Sequence, residues 1–576
     1  MKPEADRGAV PGLPRWRANL LLLVIAAWFI GLTGRALWLQ AMNKDFLQRK
    51  GASRYSRVIE IGASRGMIVD RNNEPLAIST PVESVAASPA DVEAEPGDMR
   101  KLAKLLGISN EELRSRLADT NREFVYLKRQ LPPEQAEQVV QLGIPGVFLQ
   151  REHRRYYPAG EVMAHVVGFT GVDDKGQEAL ELAFEETLAG KPGSRRVIKD
   201  RLGRIVEDVE SIRVPQNGQK LKLSIDARIQ YLAFRELKTA VTANRAKAGG
   251  IVVLDAESGE ILAMANLPTY NPNNRKYDAR RTRNRVLTDL FEPGSTLKPF
   301  TAAAALEAGL YKPETVIQTA PGKMTIGNRT IHDAHPQGAL TVSQVIQKSS
   351  NVGTAKMGLA LPSEVLWNVF NSAGFGISPR TGFPGEVSGR LRAFGTWKPI
   401  EQATISYGYG ISVSLLQLAR SYTVFASDGM LRPVTLVASE KPAPGTRVIS
   451  ADTARAVRHM LELATQPGGT APGAQIPGYT VAGKTGTAHK LEGKSYAANR
   501  YVSSFVGLAP ASRPRVVIAV MIDEPSAGQY YGGAVAAPVF SQVAAGTLRM
   551  LGVPPDAPGK SSVLVPAEVP LVREEV

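Results

Sequence analysis

The chain has 576 residues, too many for one hydrophobic core, so two or three self-sufficient domains are expected. With 43% apolar and 21% charged residues it reads as globular, and its lack of any cysteine excludes disulfides, thiolate catalysis and cysteine metal sites. The net charge of +15 invites a nucleic-acid reading, but the basic residues are scattered and frame no recognisable binding module, and a basic exterior facing anionic envelope material accounts for them equally well.

The first element is ANLLLLVIAAWFIGLTG, residues 18–34, which is uncharged and is extended beyond Arg35 by ALWL. Together these make a transmembrane anchor over residues 18–39, just long enough to cross a bilayer. A cleaved signal peptide would have a shorter apolar run and a small-x-small site after it, and the sequence has no such site there. Arg15 and Arg17 precede the span, so the positive-inside rule leaves residues 1–17 in the cytoplasm and exports the rest. Residues 40–57 are polar and helix-prone, and VIEIGASRGMIVDRNNEPLA then alternates short apolar runs with turn residues, as extended structure does. Helical spacing comes next at 98–120, 132–143 and 177–189, punctuated by Pro and Gly. Residues 40–220 are therefore expected to form a non-catalytic α+β module. Its His153 and His165 have no neighbours at metal-site spacing.

A second domain, residues 221–553, opens at LKLSIDARIQYLAFRELKTAV. GGIVVLDAESGEILAMA predicts a hairpin turning at Ser258-Gly259. YTVAGKTGTAHK, YVSSFVGLAP and RVVIAVMIDEP are three later strand-like runs, and the chain between the two strand groups is mostly helical in pattern. Strands at both ends and helices in the middle predict one antiparallel sheet covered by helices, an α+β fold. Residues 554–576, rich in Pro, Val and Glu without periodicity, are expected to be a solvated, disordered tail.

Three places in this second domain carry candidate chemistry. FEPGSTLKPF holds Ser295 and, three residues on, Lys298. Pro293-Gly294 breaks the preceding segment, TAAAALEAGL is an apolar helix, and Pro299 suits a first turn, so a helix starts close to Ser295 with both side chains on one face. A serine hydroxyl needs a base, the six histidines supply no triad signature, and a lysine serves if its surroundings keep it neutral. A plain N-cap serine followed by an exposed lysine fits the same letters. Lys348-Ser349-Ser350-Asn351 places a hydroxyl two residues before an amide, able to relay a proton and hold a substrate amide, though Ser-x-Asn is also a common turn former. Gly483-Lys484-Thr485-Gly486-Thr487 ends a strand-like run, where glycines let a ligand lie against the backbone and the lysine attracts a carboxylate. An edge strand with a solvated lysine is the plainer reading of those residues.

In this order Ser-x-x-Lys, Ser-x-Asn and Lys-Thr-Gly form the signature of penicillin-binding proteins and class A β-lactamases. The chain resembles a class B penicillin-binding protein, a peptidoglycan D,D-transpeptidase of the FtsI, division-specific type. The resemblance runs from the anchor to about residue 553 and includes RGMIVDRNNEPLA, RRYYPAGEVMAHVVGFTGVDDKGQEALELAFEETLAG, LPTYNPNNRKYDARRTRNRVLTDLFEPGSTLKPF, ATISYGYGISVSLLQLARSYTVFASDG and YYGGAVAAPVFSQV. It implies a penicillin-binding/serine β-lactamase-like transpeptidase domain on an N-terminal α+β pedestal of dimerisation type. It also implies roles: Ser295 as acylated nucleophile, Lys298 as its base, and Ser349 as the proton relay to the leaving D-alanine. Asn351 would hold the substrate amide and Lys298, and Lys484 would lower the lysine pKa and assist Ser349. Thr485, Gly486 and Thr487 would bind the substrate, with the carboxylate on the two threonines. The backbone N–H groups of Ser295 and Thr487 would form the oxyanion hole.

The resemblance further implies septal cell-wall cross-linking at the bacterial inner membrane with the catalytic domain in the periplasm, and no metal, cofactor or nucleic acid. The implied partners are stem peptides on lipid-linked glycan strands, β-lactams as covalent inhibitors, an FtsW-type polymerase and other division proteins. Two departures stand out: Asn72-Asn73 where Asn-Gly is usual, and Ala179-Leu180 where Gly-Ile precedes the glutamate. They raise the alternative of a specialised paralogue of the division enzyme. Other rivals are a D,D-carboxypeptidase or β-lactamase, against which stands the absence of a class A deacylating Glu motif, and an acylated sensor or scaffold.

Overall fold

Continuous apolar runs become buried strands, and the chain's longest such run becomes its first helix. A computed structural model describes residues 15–39, 56–199, 205–274, 278–493 and 495–557. The expected disordered tail lies outside the described residues from 558 onward, as does most of the polar stretch at 40–57. Helix α1 spans Arg15–Leu37 and buries no side chain. At about 1.5 Å per residue it exceeds the roughly 30 Å of hydrocarbon in a bilayer. An apolar helix exposed on every side suits lipid contact, as the sequence predicts for an anchor.

The described residues fall into two compact units. The first takes residues up to 63 with 82–152 and 191–216; the second takes 64–81, 153–190 and everything from 217. In the first, Ser56–Ile61, Gly193–Lys199 and Ile205–Arg213 form an antiparallel sheet with Gly193–Lys199 in the middle. Helices Pro96–Leu106, Asn110–Leu117 and Pro133–Gln141 bury Leu102, Leu106, Leu113, Ala136 and Val139 against Val85, Leu127 and Leu131. Ser109 caps the second of these helices by accepting the Glu112 N–H, and Gly107 ends the first at φ 61°. This is the α+β composition expected from the helical spacing at 98–143.

The second unit is built on five antiparallel strands: β1 (Ala248–Asp255), β2 (Ile261–Leu267), β3 (Ala482–Glu492), β4 (Ser495–Ala509) and β5 (Val516–Asp523). Their order across the sheet is β2-β1-β5-β4-β3. Every residue of β1, β2 and β5 is buried, which is why these runs are apolar but for Asp255, Asn266 and Asp523 near their ends, instead of alternating. The β1–β2 turn is the one the sequence predicts. Asp255 accepts the N–H groups of Glu257 and Ser258, and Gly259 stands at φ 77°, where a Cβ would lie 2.0 Å from the Pro433 oxygen.

Helices cover both faces. On one, α2 (Ala227–Ala243), capped by Asp226, and the C-terminal helix α8 (Ala537–Met550) bury Ile229, Leu237 and Phe540 with Ile251, Val253 and Phe505. On the other, α3 (Lys298–Glu307), α4 (Val342–Lys348), α5 (Asn351–Ala360), α6 (Leu415–Ala426) and α7 (Ala451–Thr465) share a core that includes Val252, Leu254, Phe300, Tyr422 and Met460. The middle of the domain is not helical throughout. Val316–Gln318 pairs with Ala339–Thr341, and Lys323–Ile326 pairs with Arg329–His332, in two-stranded pieces too short to leave a legible alternation.

Three stretches before residue 221 belong to this second unit, 64–81, 153–190 and 217–220, so the division by contacts does not follow a single boundary in the chain. Buried charges tie the first two of these together. Glu181, fully enclosed, accepts Arg65 Nε through one oxygen and Arg155 Nε through the other, each at 2.6 Å. Arg65 also donates to the carbonyls of Glu181 and Asp174, and Arg155 to that of Gly66. The Asp174 carboxyl beside them is pushed up to about 6, chiefly by burial. Both departures from the family pattern fall on backbone that favours glycine: Asn73 has φ 68° and Ala179 φ 52°. Asn adopts that region readily, whereas Ala gives up roughly 1–2 kcal/mol there.

Candidate active site

Pro293-Gly294 does end the preceding segment, with Gly294 at φ 51°. The chain then makes a 3-10 turn, Gly294–Leu297, before helix α3 begins at Lys298 with Pro299 in its first turn. In a 3-10 turn residues three apart eclipse one another, which aligns Ser295 with Lys298 more directly than an α-helix would. The turn is strapped down by its backbone. Gly294 N–H donates to the Gly408 carbonyl at 3.1 Å, and a Cβ on Gly408 would stand 2.0 Å from the Gly294 oxygen. Below it, the Tyr422 hydroxyl donates to the Thr296 carbonyl at 2.7 Å. Tyr422 is wholly buried against Phe300 and Phe425, and burial holds its hydroxyl well above the usual acidity range.

Lys298 is 1% exposed, which removes the exposed-lysine reading of the motif. Its Nζ donates to Ser349 Oγ at 3.0 Å and also to the Ser349 carbonyl. Ser349 ends helix α4 in the left-handed region, φ 62° and ψ 38°, a conformation that non-glycine residues hold only when their surroundings enforce it. The enforcement is visible one residue on. Ser350 caps α5 by accepting the Gly353 N–H and donates its hydroxyl to Asp333 Oδ2 at 2.7 Å, while Asp333 Oδ1 accepts the Val352 N–H at 2.9 Å. The Asn351 amide donates to the His332 carbonyl at 2.8 Å. Asp333, 7% exposed, is thus a clamp on the Ser349–Asn351 connection that nothing in its own sequence neighbourhood announces.

Lys484, Thr485, Gly486 and Thr487 lie on β3, the last strand of the sheet; among the described residues no strand pairs with its outer side. Such an edge offers unpaired backbone groups to an extended ligand. Lys484 is fully enclosed, with Nζ 3.2 Å from Thr485 Oγ1, and Thr485 in turn donates to Thr470 Oγ1 at 3.0 Å. Thr487 Oγ1 accepts the Gly532 N–H at 3.2 Å. Glycine is required at two of these approaches: a Cβ on Gly486 would come within 2.5 Å of Ser504 Oγ and 2.9 Å of the Pro293 carbonyl, and one on Gly532 within 2.6 Å of the Gly486 oxygen. The 3-10 turn meets this strand at Thr487 and Ala488, both within 4 Å of the position a Gly294 Cβ would take.

The structure therefore brings the three sequence motifs to one place on the sheet: the serine turn against β3, and the Ser-x-Asn connection against the buried lysine. A serine hydroxyl bonded to one enclosed lysine, beside an edge strand that carries a second, on a helix-covered antiparallel sheet, is the framework of serine acyl-transfer enzymes of the penicillin-binding fold.

Comparison with known proteins agrees. Residues 249–545 match the penicillin binding protein transpeptidase domain, and residues 60–223 match the penicillin-binding protein dimerisation domain. A probable peptidoglycan D,D-transpeptidase PenA of Neisseria meningitidis is 43% identical over 563 residues, 97% of each chain. The peptidoglycan D,D-transpeptidase FtsI of Escherichia coli K12 is 44% identical over 549 residues, 94% of this chain and 93% of that one. Among solved structures, the transpeptidase domain of Burkholderia pseudomallei penicillin-binding protein 3 is 48% identical, covers 58% of this chain and 97% of its own, and superposes with a TM-score of 0.54. A peptidoglycan synthetase of Bifidobacterium adolescentis, 24% identical, covers 87% of this chain and 98% of its own with a TM-score of 0.70, a likeness of fold. The chain belongs to the penicillin-binding protein transpeptidase family, in its FtsI-like branch with a dimerisation-type module ahead of the catalytic domain.

Proposed function

We propose that this chain is a peptidoglycan D,D-transpeptidase of septal wall synthesis, working through a Ser295 acyl-enzyme that β-lactams also form. The observation that carries the reading is the enclosed Lys298, one 3-10 turn from Ser295 and bonded to Ser349 Oγ. Ser295 Oγ attacks the carbonyl of the penultimate D-alanine of a donor stem peptide, and Lys298 takes its proton. The N–H groups of Ser295 and Thr487 hold the oxyanion, the term that contributes most in acyl transfer. Ser349, bonded to Lys298, returns the proton to the departing D-alanine, assisted by Lys484. The donor lies along the open edge of β3 with its amide on Asn351 and its carboxylate on Thr485 and Thr487, Gly486 leaving room between them. An amine from a second stem peptide then takes the acyl group.

Helix α1 would anchor the chain in the inner membrane, with the catalytic domain in the periplasm. A fluorescent penicillin too polar to cross a bilayer, applied to intact spheroplasts, tests nucleophile and orientation together. It should modify the peptide containing GSTLK and leave Ser295→Ala unlabelled. Label on another serine sinks the nucleophile, and labelling that requires lysis reverses the topology. An FtsW-type polymerase would supply the glycan strands at the septum, where other division proteins would also gather. Depletion should accordingly give filaments; rounded cells would assign the chain to elongation, and unchanged division would mark it as a specialised paralogue.

A further inference from the structure

The hairpin between Thr170 and Gly176 carries a carboxyl that neither the acyl-transfer chemistry nor the neighbouring ion pairs use. A bridge between those two residues closes the hairpin, with the Gly171 N–H donating to the Lys175 carbonyl at 2.8 Å and the Gln177 N–H to the Phe169 carbonyl at 2.9 Å. Two further bonds pin it to the buried charges: Arg65 Nη1 donates to the Asp174 carbonyl at 3.0 Å, and the Gly176 N–H donates to Glu185 Oε2 at 2.9 Å. The fit is close. A Cβ on Gly176 would stand 2.0 Å from the Glu181 carbonyl oxygen. Under that restraint Asp174 keeps a left-handed backbone, φ 57°, and its Oδ1 is enclosed with no hydrogen-bond partner among the described residues.

The charges facing Asp174 are already balanced without it. Arg65 comes from the stretch 64–81, while Arg155, Glu181 and Glu185 come from 153–190, so two guanidinium groups meet two carboxylates. The chain neighbours Asp173 and Lys175 are exposed and of opposite sign. An ionised Asp174 is thus a surplus negative charge with one oxygen out of reach of water or a donor, and a proton on it removes the surplus. We propose that this hairpin is an acid-tightened latch, with Asp174 as its proton acceptor, on the joint between residues 64–81 and 153–190. Burial is the main cause that raises the carboxyl to about 6, with the two arginines opposing it and the two glutamates assisting. A carboxyl raised in this way contributes stability that is whole below its ordinary value of 3.8 and is lost as pH climbs through about 6. The latch is therefore firm in acid and looser at neutral pH.

Hydrogen exchange read by mass spectrometry on the purified full chain in detergent gives the opening constant of peptides that cover the hairpin, once exchange times are scaled for the intrinsic pH dependence of amide exchange. From about pH 5 to about pH 7.5 that constant should rise about tenfold, as a carboxyl moved from 3.8 to about 6 requires. Asp174→Asn accepts the same left-handed backbone but has no proton to lose. Its opening constant should stay near the acid value of the wild type across the whole range. If the asparagine variant does not fold, Asp174→Gly takes its place, since glycine suits φ 57°; it should be more open at every pH and equally flat. A wild-type constant that changes less than about twofold between the two pH values overturns the latch. So does a folded variant that retains the tenfold change, which assigns the titration to another group.

Discussion

Lys298→Arg is expected to lower the second-order rate of acylation by a fluorescent penicillin by about 100-fold or more, the usual worth of a positioned general base. Arginine keeps the charge beside Ser295 but cannot be deprotonated in a protein, so it separates a base from a mere cation. Lys298 is enclosed and hydrogen-bonded to Ser349, so the variant must first be shown to be folded by circular dichroism and melting. Lys484→Arg should be milder, about tenfold, because an electrostatic role survives as long as a cation remains. Near-normal acylation by a folded Lys298→Arg would remove lysine as the base and turn attention to Ser349.

Glu181→Gln is expected to be strongly destabilising. It leaves Arg155, 5% exposed, facing a neutral amide where it now meets a carboxylate oxygen at 2.6 Å, and leaves Arg65, 3% exposed, with Glu185 at 2.7 Å as its remaining carboxylate. Removing one member of a buried ion group typically destabilises by about 3–5 kcal/mol, because the charges left behind stay desolvated. A melting curve of the detergent-solubilised chain should show a drop of several degrees. The wild-type melting point in Glu181→Gln would mean that the two guanidinium groups are satisfied well enough by the Glu185 carboxylate and the carbonyls of Gly66, Asp174 and Glu181.

The sheet and its covering helices are legible in the sequence because each signal is local: apolar runs at 248–254, 261–265 and 516–522, a turn at Ser258-Gly259, a helix launched at Pro293-Gly294. The three candidate motifs are legible for the same reason. Asp333 and Tyr422 are not. Asp333 matters through Ser350 and Val352, and Tyr422 through a carbonyl 126 residues away, and no spacing rule encodes such meetings. The departures at Asn73 and Ala179 are visible as letters, but that both sit at positive φ is a property of the folded backbone alone. The short hairpins at 316–341 are hidden by length, since three or four residues of alternation are indistinguishable from irregular chain.

The strand order has a consequence for how the protein is made. Strand β1 is flanked by β2 on one side and on the other by β5, whose first residue is Val516. Whether the chain leaves a ribosome or threads through a translocon, it arrives N-terminus first, and helices α2 to α7 can cover the faces of the β1–β2 ribbon as they appear, but its inner edge on β1 stays unpaired until nearly the whole domain has emerged. Pairing over such sequence distance is slow, and bare edges of this kind seed aggregation. A message truncated ahead of residue 516 therefore lacks the strand that joins the two halves of the sheet and leaves that edge open to other chains, so it yields material for quality control, not a smaller enzyme.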